Sequence, residues 1–236
     1  MDIPTAVVTG AASGIGRALA TRLAASGASV LLADIDGAAV HRLADELRGT
    51  ARTVDVSRPD EMESLAAAAP DASLVCLNAG IVGASTGPPW TVPPQEWQRV
   101  FAVNVDGLVN GLRAFVPRLL QADAERHLLV TASLAGVVTF PTGGAYAASK
   151  HAVMAVAEQT AMALRGTSVS VTAICPALVR TGMSPVGADP DDVAEYALRA
   201  VADGAFAVIP PEWHAAVLQR GSSLVRGNVP GLPEAE

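Results

Sequence analysis

A chain of 236 residues is long enough for one large α/β core and leaves little room for a second. Half of it is apolar but only 4% is aromatic, so Ala, Val and Leu supply the core, and a net charge of −7 argues against a nucleic-acid partner. The two cysteines, Cys76 and Cys175, sit in apolar runs without metal-type spacing, which points to buried thiols in a reducing compartment and to no metal site.

In chain order, the apolar run Ile3–Thr9 predicts a first strand, and Gly14–Ser26 predicts a helix that Gly27 closes. Ser29–Ala33 reads as a second strand ending at Asp34, Ala38–Leu47 as a helix and Thr53–Val56 as a third strand. A helix over Asp60–Ala69, stopped by Pro70, leads to a fourth strand, Ser73–Leu77. A loop rich in Gly and Pro runs from Gly80 to Pro94, followed by a long helix over Gln95–Leu120 and a fifth strand, His127–Thr131. Next come a helix over Tyr146–Leu164, a sixth strand at Val169–Ile174 and a helix over Asp191–Val201. A short seventh strand, Ala205–Ile209, and a helix over Pro211–Leu224 precede a frayed tail at 227–236.

Leu128–Ser149 carries no charge and approaches the length of a membrane span, but Pro141 and Gly143-Gly144 interrupt it. With no basic region behind Met1 to begin a signal peptide, a soluble cytoplasmic protein is expected. The strands are nearly all apolar rather than alternating, as in parallel sheets covered on both faces. The expectation is a single α/β domain over 1–236, a doubly wound, Rossmann-type, mostly parallel seven-stranded sheet with helices on both faces.

The junction of the first strand and helix reads Thr9-Gly10-Ala11-Ala12-Ser13-Gly14-Ile15-Gly16. Glycines there permit a tight turn and let backbone N–H groups approach a pyrophosphate, with the helix dipole behind them. Asp34, at the end of the second strand, is placed to accept hydrogen bonds from the adenosine ribose hydroxyls. It would also repel a 2′-phosphate, by on the order of 4 kcal/mol before screening for each unit-charge pair about 4 Å apart at an effective dielectric of about 20. No base stands at Ser13, Ile35 or Asp36 to offset that, so NAD is expected as the cofactor in preference to NADP.

Tyr146 and Lys150 lie one turn apart on one helix face. A phenol titrates near pH 10 and is a poor base at neutral pH, and a nearby ammonium favours its ionised form. Ser133 ends the fifth strand, where parallel sheets line a ligand crevice. Asn104, mid-helix between Val103 and Val105, suggests a buried, hydrogen-bonded side chain.

With these pieces the sequence resembles the short-chain dehydrogenase/reductase family. The matching motifs are T-G-A-A-S-G-I-G at Thr9–Gly16, Asp55-Val56, N-A-G at Asn78–Gly80, N-V-D-G at Asn104–Gly107, Ser133, Y-A-A-S-K at Tyr146–Lys150 and P-A-L-V-R-T at Pro176–Thr181. They occur in family order over residues 3 to 210. The resemblance implies that Tyr146 is the general acid/base, that Lys150 lowers its pKa and holds the nicotinamide ribose, that Ser133 polarises the substrate and that Asn104 supports a water relaying protons. It implies cofactor contacts at Gly10, Ser13, Gly14, Ile15, Gly16, Asp34, Ile35, Asp55, Val56, Asn78, Ala79, Gly80, Tyr146, Lys150, Pro176, Val179 and Thr181.

Two departures from the family pattern stand out. Gly182–Pro190 is short where many members carry a lid, so the cleft is either open or closed by another loop or subunit. Ala205–Pro210 and Pro211-Glu212-Trp213 replace the V-D-G-G-type segment. Ala135, Phe140, Leu178 and Met183, with Trp90 as a more distant candidate, are the substrate-wall positions beside Ser133 and Tyr146, and their apolarity suggests a hydrophobic secondary alcohol or ketone. The apolar run Ala152–Ala157 predicts self-association through its helix and the one over Gln95–Leu120, as a homodimer or homotetramer. Alternatives on the same fold are an NADP-linked ketoreductase, a dehydratase or epimerase, and a non-catalytic NAD-sensing protein.

Overall fold

The apolar runs pair into one sheet in a computed structural model that describes residues 3–235. Its strands are β1 (Thr5–Thr9), β2 (Ser29–Asp34), β3 (Thr50–Thr53), β4 (Leu74–Leu77), β5 (Arg126–Thr131), β6 (Val169–Ile174) and β7 (Ala207–Val208). They lie in the order β3-β2-β1-β4-β5-β6-β7 and every neighbouring pair is parallel. The helices are α1 (Gly14–Ala25), α2 (Gly37–Leu47), α3 (Pro59–Ala67), α4 (Pro94–Phe101), α5 (Gly107–Leu119), α6 (Gly144–Ala163), α7 (Pro190–Asp203) and α8 (His214–Val225).

Alternation along each strand explains why both faces are apolar. Val7, Val75, Leu77, Leu128 and Val130 face a core completed by Leu65 of α3, Phe115 of α5 and Val153 of α6. Ala6, Val8, Leu74, Cys76 and Leu129 face the opposite core, with Leu19 of α1, Leu43 of α2 and Ala197 of α7. The chain is thus doubly wound as a single domain.

Local signals set the element ends. Gly27 terminates α1 with φ +94°: its N–H donates to the Ala24 carbonyl and that of Ala28 to Leu23, the paired bonds of a left-handed helix stop. Asp36 caps α2 by accepting from the Ala39 N–H at 2.9 Å, and Asp189 caps α7 ahead of Pro190 at its first position. Arg22 of α1 forks onto Asp191 and also reaches Glu195, tying α7 to α1 across their exposed sides.

Several expected boundaries shift. The third strand is Thr50–Thr53, three residues before Thr53–Val56, paired with Leu31–Asp34 of β2. As an edge strand it needs only Ala51 inward, so its sequence is polar; Val54 and Val56 are buried after it ends and mimic a strand in a hydrophobic pattern. The long helix is continuous from Pro94 to Leu119 but contains a π turn at Ala102–Asp106. The catalytic-face helix begins at Gly144, not Tyr146, and β7 shrinks to Ala207–Val208. A 3-10 turn, Pro211–Trp213, precedes α8, and residues 228–235 carry no helix or strand.

His127 is buried in β5 with Nε2 at 2.8 Å from Thr172 Oγ1. Thr172 donates its own proton to the Ala205 carbonyl, so the imidazole is the donor in their contact. Burial pushes the His127 pKa down to about 4, which keeps it neutral and structural.

Candidate active site

Strand order reverses between β1 and β4, and the crevice at that switch point opens at the carboxyl ends of the strands. The loop after β1 forms one side of it. Gly10 takes φ +65° and Gly14 φ +52°, conformations that cost L side chains heavily. A Cβ at Gly10 would stand 2.8 Å from Ala79 Cα, and one at Gly14 would stand 2.9 Å from Thr181 Cγ2. At Gly16 it would run into the Gly10 carbonyl oxygen. Ser13, extended at the N-cap of α1, makes no side-chain capping bond, so the helix presents backbone donors without a side-chain cap. Ile15 packs beneath, against the α1-side core.

Asp34 stands where β2 ends, with two backbone bonds already on it. Oδ2 accepts from Ala12 N–H at 2.9 Å and Oδ1 from Asp36 N–H at 3.0 Å. Its carboxylate therefore holds the glycine loop and keeps lone pairs for a further partner. Ile35 beside it is 70% exposed. Asp55 accepts from the backbone and hydroxyl of Ser57, and Val56 is buried against Gly107.

The Asn78-Ala79-Gly80 segment braces the crevice. Asn78 donates from Nδ2 to the Thr9 carbonyl at 3.0 Å and accepts from Thr131 Oγ1 at 2.9 Å, which joins β1, β4 and β5. Its side chain is spent on the scaffold, and Ala79 fills the space facing Gly10. Gly80 lies between Asn104 Oδ1 and Lys150 Nζ, 3.2 and 3.5 Å from where its Cβ would be.

Asn104 occupies the π turn and is 3% exposed. Its amide accepts from Ile81 N–H at 2.8 Å and donates to the Ile81 carbonyl and to Ser149 Oγ, both at 2.9 Å. Ser149 passes the chain on by donating to the Tyr146 carbonyl at 2.7 Å. A π turn locally re-aims a side chain, and such turns gather at functional sites. The loop before α4 adds a second brace on α6: Gly87 N–H donates to the Thr142 carbonyl and Gly144 N–H to Gly87, both at 3.1 Å.

On α6, Lys150 is buried and its Nζ donates to the Thr131 carbonyl at 2.8 Å, 5.8 Å from the Tyr146 ring centre. Burial pushes its pKa down to about 8, opposed by the neighbouring Cys175. Burial also holds the Tyr146 phenol above its ordinary range, while a hydrogen bond with the Ser133 side chain works to lower it. The lowering assigned to Lys150 from the sequence is not seen in the chain alone, where burial outweighs the opposing hydrogen bond with Ser133. Ser133 Oγ accepts from Ala135 N–H at 3.1 Å, which leaves its O–H proton free to be donated elsewhere. Thr9, Ala79, Asn104 and Thr131 border a void of about 10 Å³, near the lower limit for one water.

Pro176 anchors the loop after β6, its carbonyl accepting from Leu134 N–H at 2.9 Å, and Val179 is buried. The short Gly182–Pro190 segment is stapled to the loop before it: Arg180 N–H donates to the Ala188 carbonyl and Ala188 N–H to the Leu178 carbonyl, both at 2.9 Å, and the Arg180 guanidinium pairs with Asp189 at 2.7 Å. Of the substrate-wall candidates, Ala135 is buried and Phe140 half-buried, while Leu178 and Met183 are exposed and Trp90 is 85% exposed. The sequence missed the packing beside the loop that joins Ser133 to Tyr146: Trp213, and Ala216 and Val217 of α8, cluster with Leu134, Val138 and Phe140. Ser149 and the carbonyls of Thr131 and Ile81 were also missed. Ser149 is visible within Y-A-A-S-K, but backbone acceptors leave no trace in sequence.

A family model described as short chain dehydrogenase matches residues 4–190. The 1-deoxy-11-beta-hydroxypentalenate dehydrogenase of Streptomyces exfoliatus is 49% identical over 187 residues, spanning 75% of this chain and 68% of that protein. The 2-(R)-hydroxypropyl-CoM dehydrogenase of Xanthobacter autotrophicus is 32% identical over 211 residues, 82% of this chain and 81% of that one. Among solved structures, a short chain dehydrogenase/reductase from Burkholderia phymatum in complex with NAD superposes with a TM-score of 0.91 at 32% identity, covering 100% of this chain and 99% of the other. The chain belongs to the short-chain dehydrogenase/reductase family of oxidoreductases, which bind a nicotinamide cofactor.

Proposed function

We propose that the protein is an NAD-dependent dehydrogenase/ketone reductase acting on a hydrophobic secondary alcohol or ketone, with Tyr146 as general acid/base. The observation that carries this reading is the meeting of Tyr146, Lys150 and Ser133 at the carboxyl end of the sheet, across from a glycine loop that opens onto the uncapped start of α1.

The residues present fit a dinucleotide. Gly10, Gly14 and Gly16 leave no room for side chains where backbone must approach a pyrophosphate, and Asp34 is fixed at the ribose end. When bound, the nicotinamide supplies or accepts the hydride. Tyr146 then exchanges a proton with the substrate oxygen, and Ser133 donates a hydrogen bond to that oxygen. Lys150, anchored on the Thr131 carbonyl, would hold the nicotinamide ribose and bias the phenol toward its ionised form. Asn104, locked against Ile81 and Ser149, supports in this reading a water that relays protons through Lys150.

Oxidation of a hydroxyl is in keeping with the Streptomyces exfoliatus and Xanthobacter autotrophicus relatives, both named as dehydrogenases of hydroxy compounds. The small-molecule substrate lies against Ala135, Phe140, Leu178 and Met183 in this reading, and two or four copies associate through α6 and α5. NAD is preferred because Asp34 and exposed Ile35 offer no cation for a 2′-phosphate.

The test is kcat/KM for NAD against NADP over a panel of secondary alcohols. NAD is expected to win, and Asp34→Ser is expected to narrow the ratio by about tenfold or more. A wild-type preference for NADP removes the assignment of Asp34, and absence of any NADH formation across the panel removes the dehydrogenase reading.

A further inference from the structure

The family-matched segment ends at residue 190, and α8 lies beyond it. Ala216 and Val217 hold α8 on Val138 and Phe140, in the loop that joins Ser133 to Tyr146. One turn further along, Arg220 reaches the same loop, its Nε donating to Thr139 Oγ1 at 3.4 Å. A guanidinium carries five N–H donors in one plane, and Thr139 engages one of them. No carboxylate among the described residues lies within ion-pairing distance of Arg220, a lack it shares with several other arginines; what sets it apart is its half-buried place against the loop between Ser133 and Tyr146. The chain is acidic overall, and the wall on which Arg220 rests is apolar. An unpaired planar donor fork beside the apolar loop that joins Ser133 to Tyr146 is suited to two-point recognition of a carboxylate.

We propose that Arg220 binds a carboxylate carried by the substrate, so that the protein oxidises hydrophobic hydroxy acids in preference to neutral alcohols. This rests on the dehydrogenase reading of the same site. Arg220 sets specificity here and takes no part in proton or hydride transfer.

The experiment uses matched pairs with NAD: a hydroxycyclohexanecarboxylate and its methyl ester, and lithocholate and its methyl ester. The wild type is expected to favour the acid of at least one pair in kcat/KM. In Arg220→Gln that acid should lose about tenfold or more, chiefly through KM, with its ester changed by less than about twofold. Arg220→Lys should restore part of the loss, and added salt should shrink the acid-to-ester ratio. An unchanged thermal midpoint shows that the variant is folded. Esters used as well as acids by the wild type, or an equal loss on both in Arg220→Gln, would overturn the proposal while leaving the dehydrogenase reading intact. No turnover of either acid, with neutral alcohols of the panel still oxidised, would likewise overturn it, and the dehydrogenase reading falls only if the whole panel yields no NADH.

Discussion

Tyr146→Phe is expected to lower kcat for alcohol oxidation by about 10²–10⁴-fold and to leave dinucleotide affinity nearly unchanged. The substitution removes one oxygen and leaves the ring in its packing, with Lys150 Nζ still 5.8 Å from its centre and still bonded to the Thr131 carbonyl. The glycine loop, Asp34 and the start of α1 lie on the other side of the crevice and do not touch it. Loss of affinity equal to the loss of turnover would mean that the phenol holds the cofactor instead of moving a proton. Isothermal titration with NAD beside steady-state kinetics separates the two, and full turnover by the variant would remove the role from Tyr146 altogether.

Gly16→Ala is expected to cost the dinucleotide site about 100-fold or more in affinity and to lower the thermal midpoint by several degrees. The added methyl has nowhere to go: it meets the Gly10 carbonyl oxygen, and Asn78 Nδ2 is 2.6 Å away. Neither neighbour yields cheaply, since Gly10 is held at φ +65° and Asn78 is bonded to Thr9 and Thr131. Overpacking of this kind costs about 1–3 kcal/mol, which corresponds to roughly 2–10 °C in a domain of this size. Gly221 in α8 is the control, because no atom lies within 4 Å of its Cβ position. Alanine there should be neutral or stabilise by up to about 1 kcal/mol. NAD binding by Gly16→Ala at wild-type strength would show that the loop does not cradle the cofactor.

Much of the architecture is legible from the residues. Unbroken apolar strands such as Leu74–Leu77 admit only a sheet covered on both faces, and Gly27 and Pro190 mark helix ends through their own backbone restrictions. Edge strand β3 is misplaced because a strand with one free side needs little apolar surface, while Val54 and Val56 just beyond it are buried. Asn104 and Lys150 are recognisable as site residues, but what positions them is not. A π turn, the Thr131 and Ile81 carbonyls and the Ser149 relay are backbone events that a one-dimensional pattern does not encode. The packing of α8 was hidden for another reason: Ala216 clusters with Leu134 and Val138, residues far away in sequence, and only tertiary packing brings them together.

The tension at Tyr146 is the most informative feature of the site. Burial raises the phenol's pKa, Ser133 opposes that rise, and Lys150, with a pKa of about 8, still carries its proton for the most part at neutral pH. The measurement that reaches the central claim is the pH profile of kcat/KM for alcohol oxidation at saturating NAD, run on the wild type and on Tyr146→Phe. With the cationic nicotinamide of NAD and the Lys150 ammonium both favouring the phenolate, the account predicts an ascending limb in the wild type with a midpoint below the phenol's ordinary value of about 10, absent from the residual activity of the variant. The same limb, at the same midpoint and height in both proteins, would contradict it.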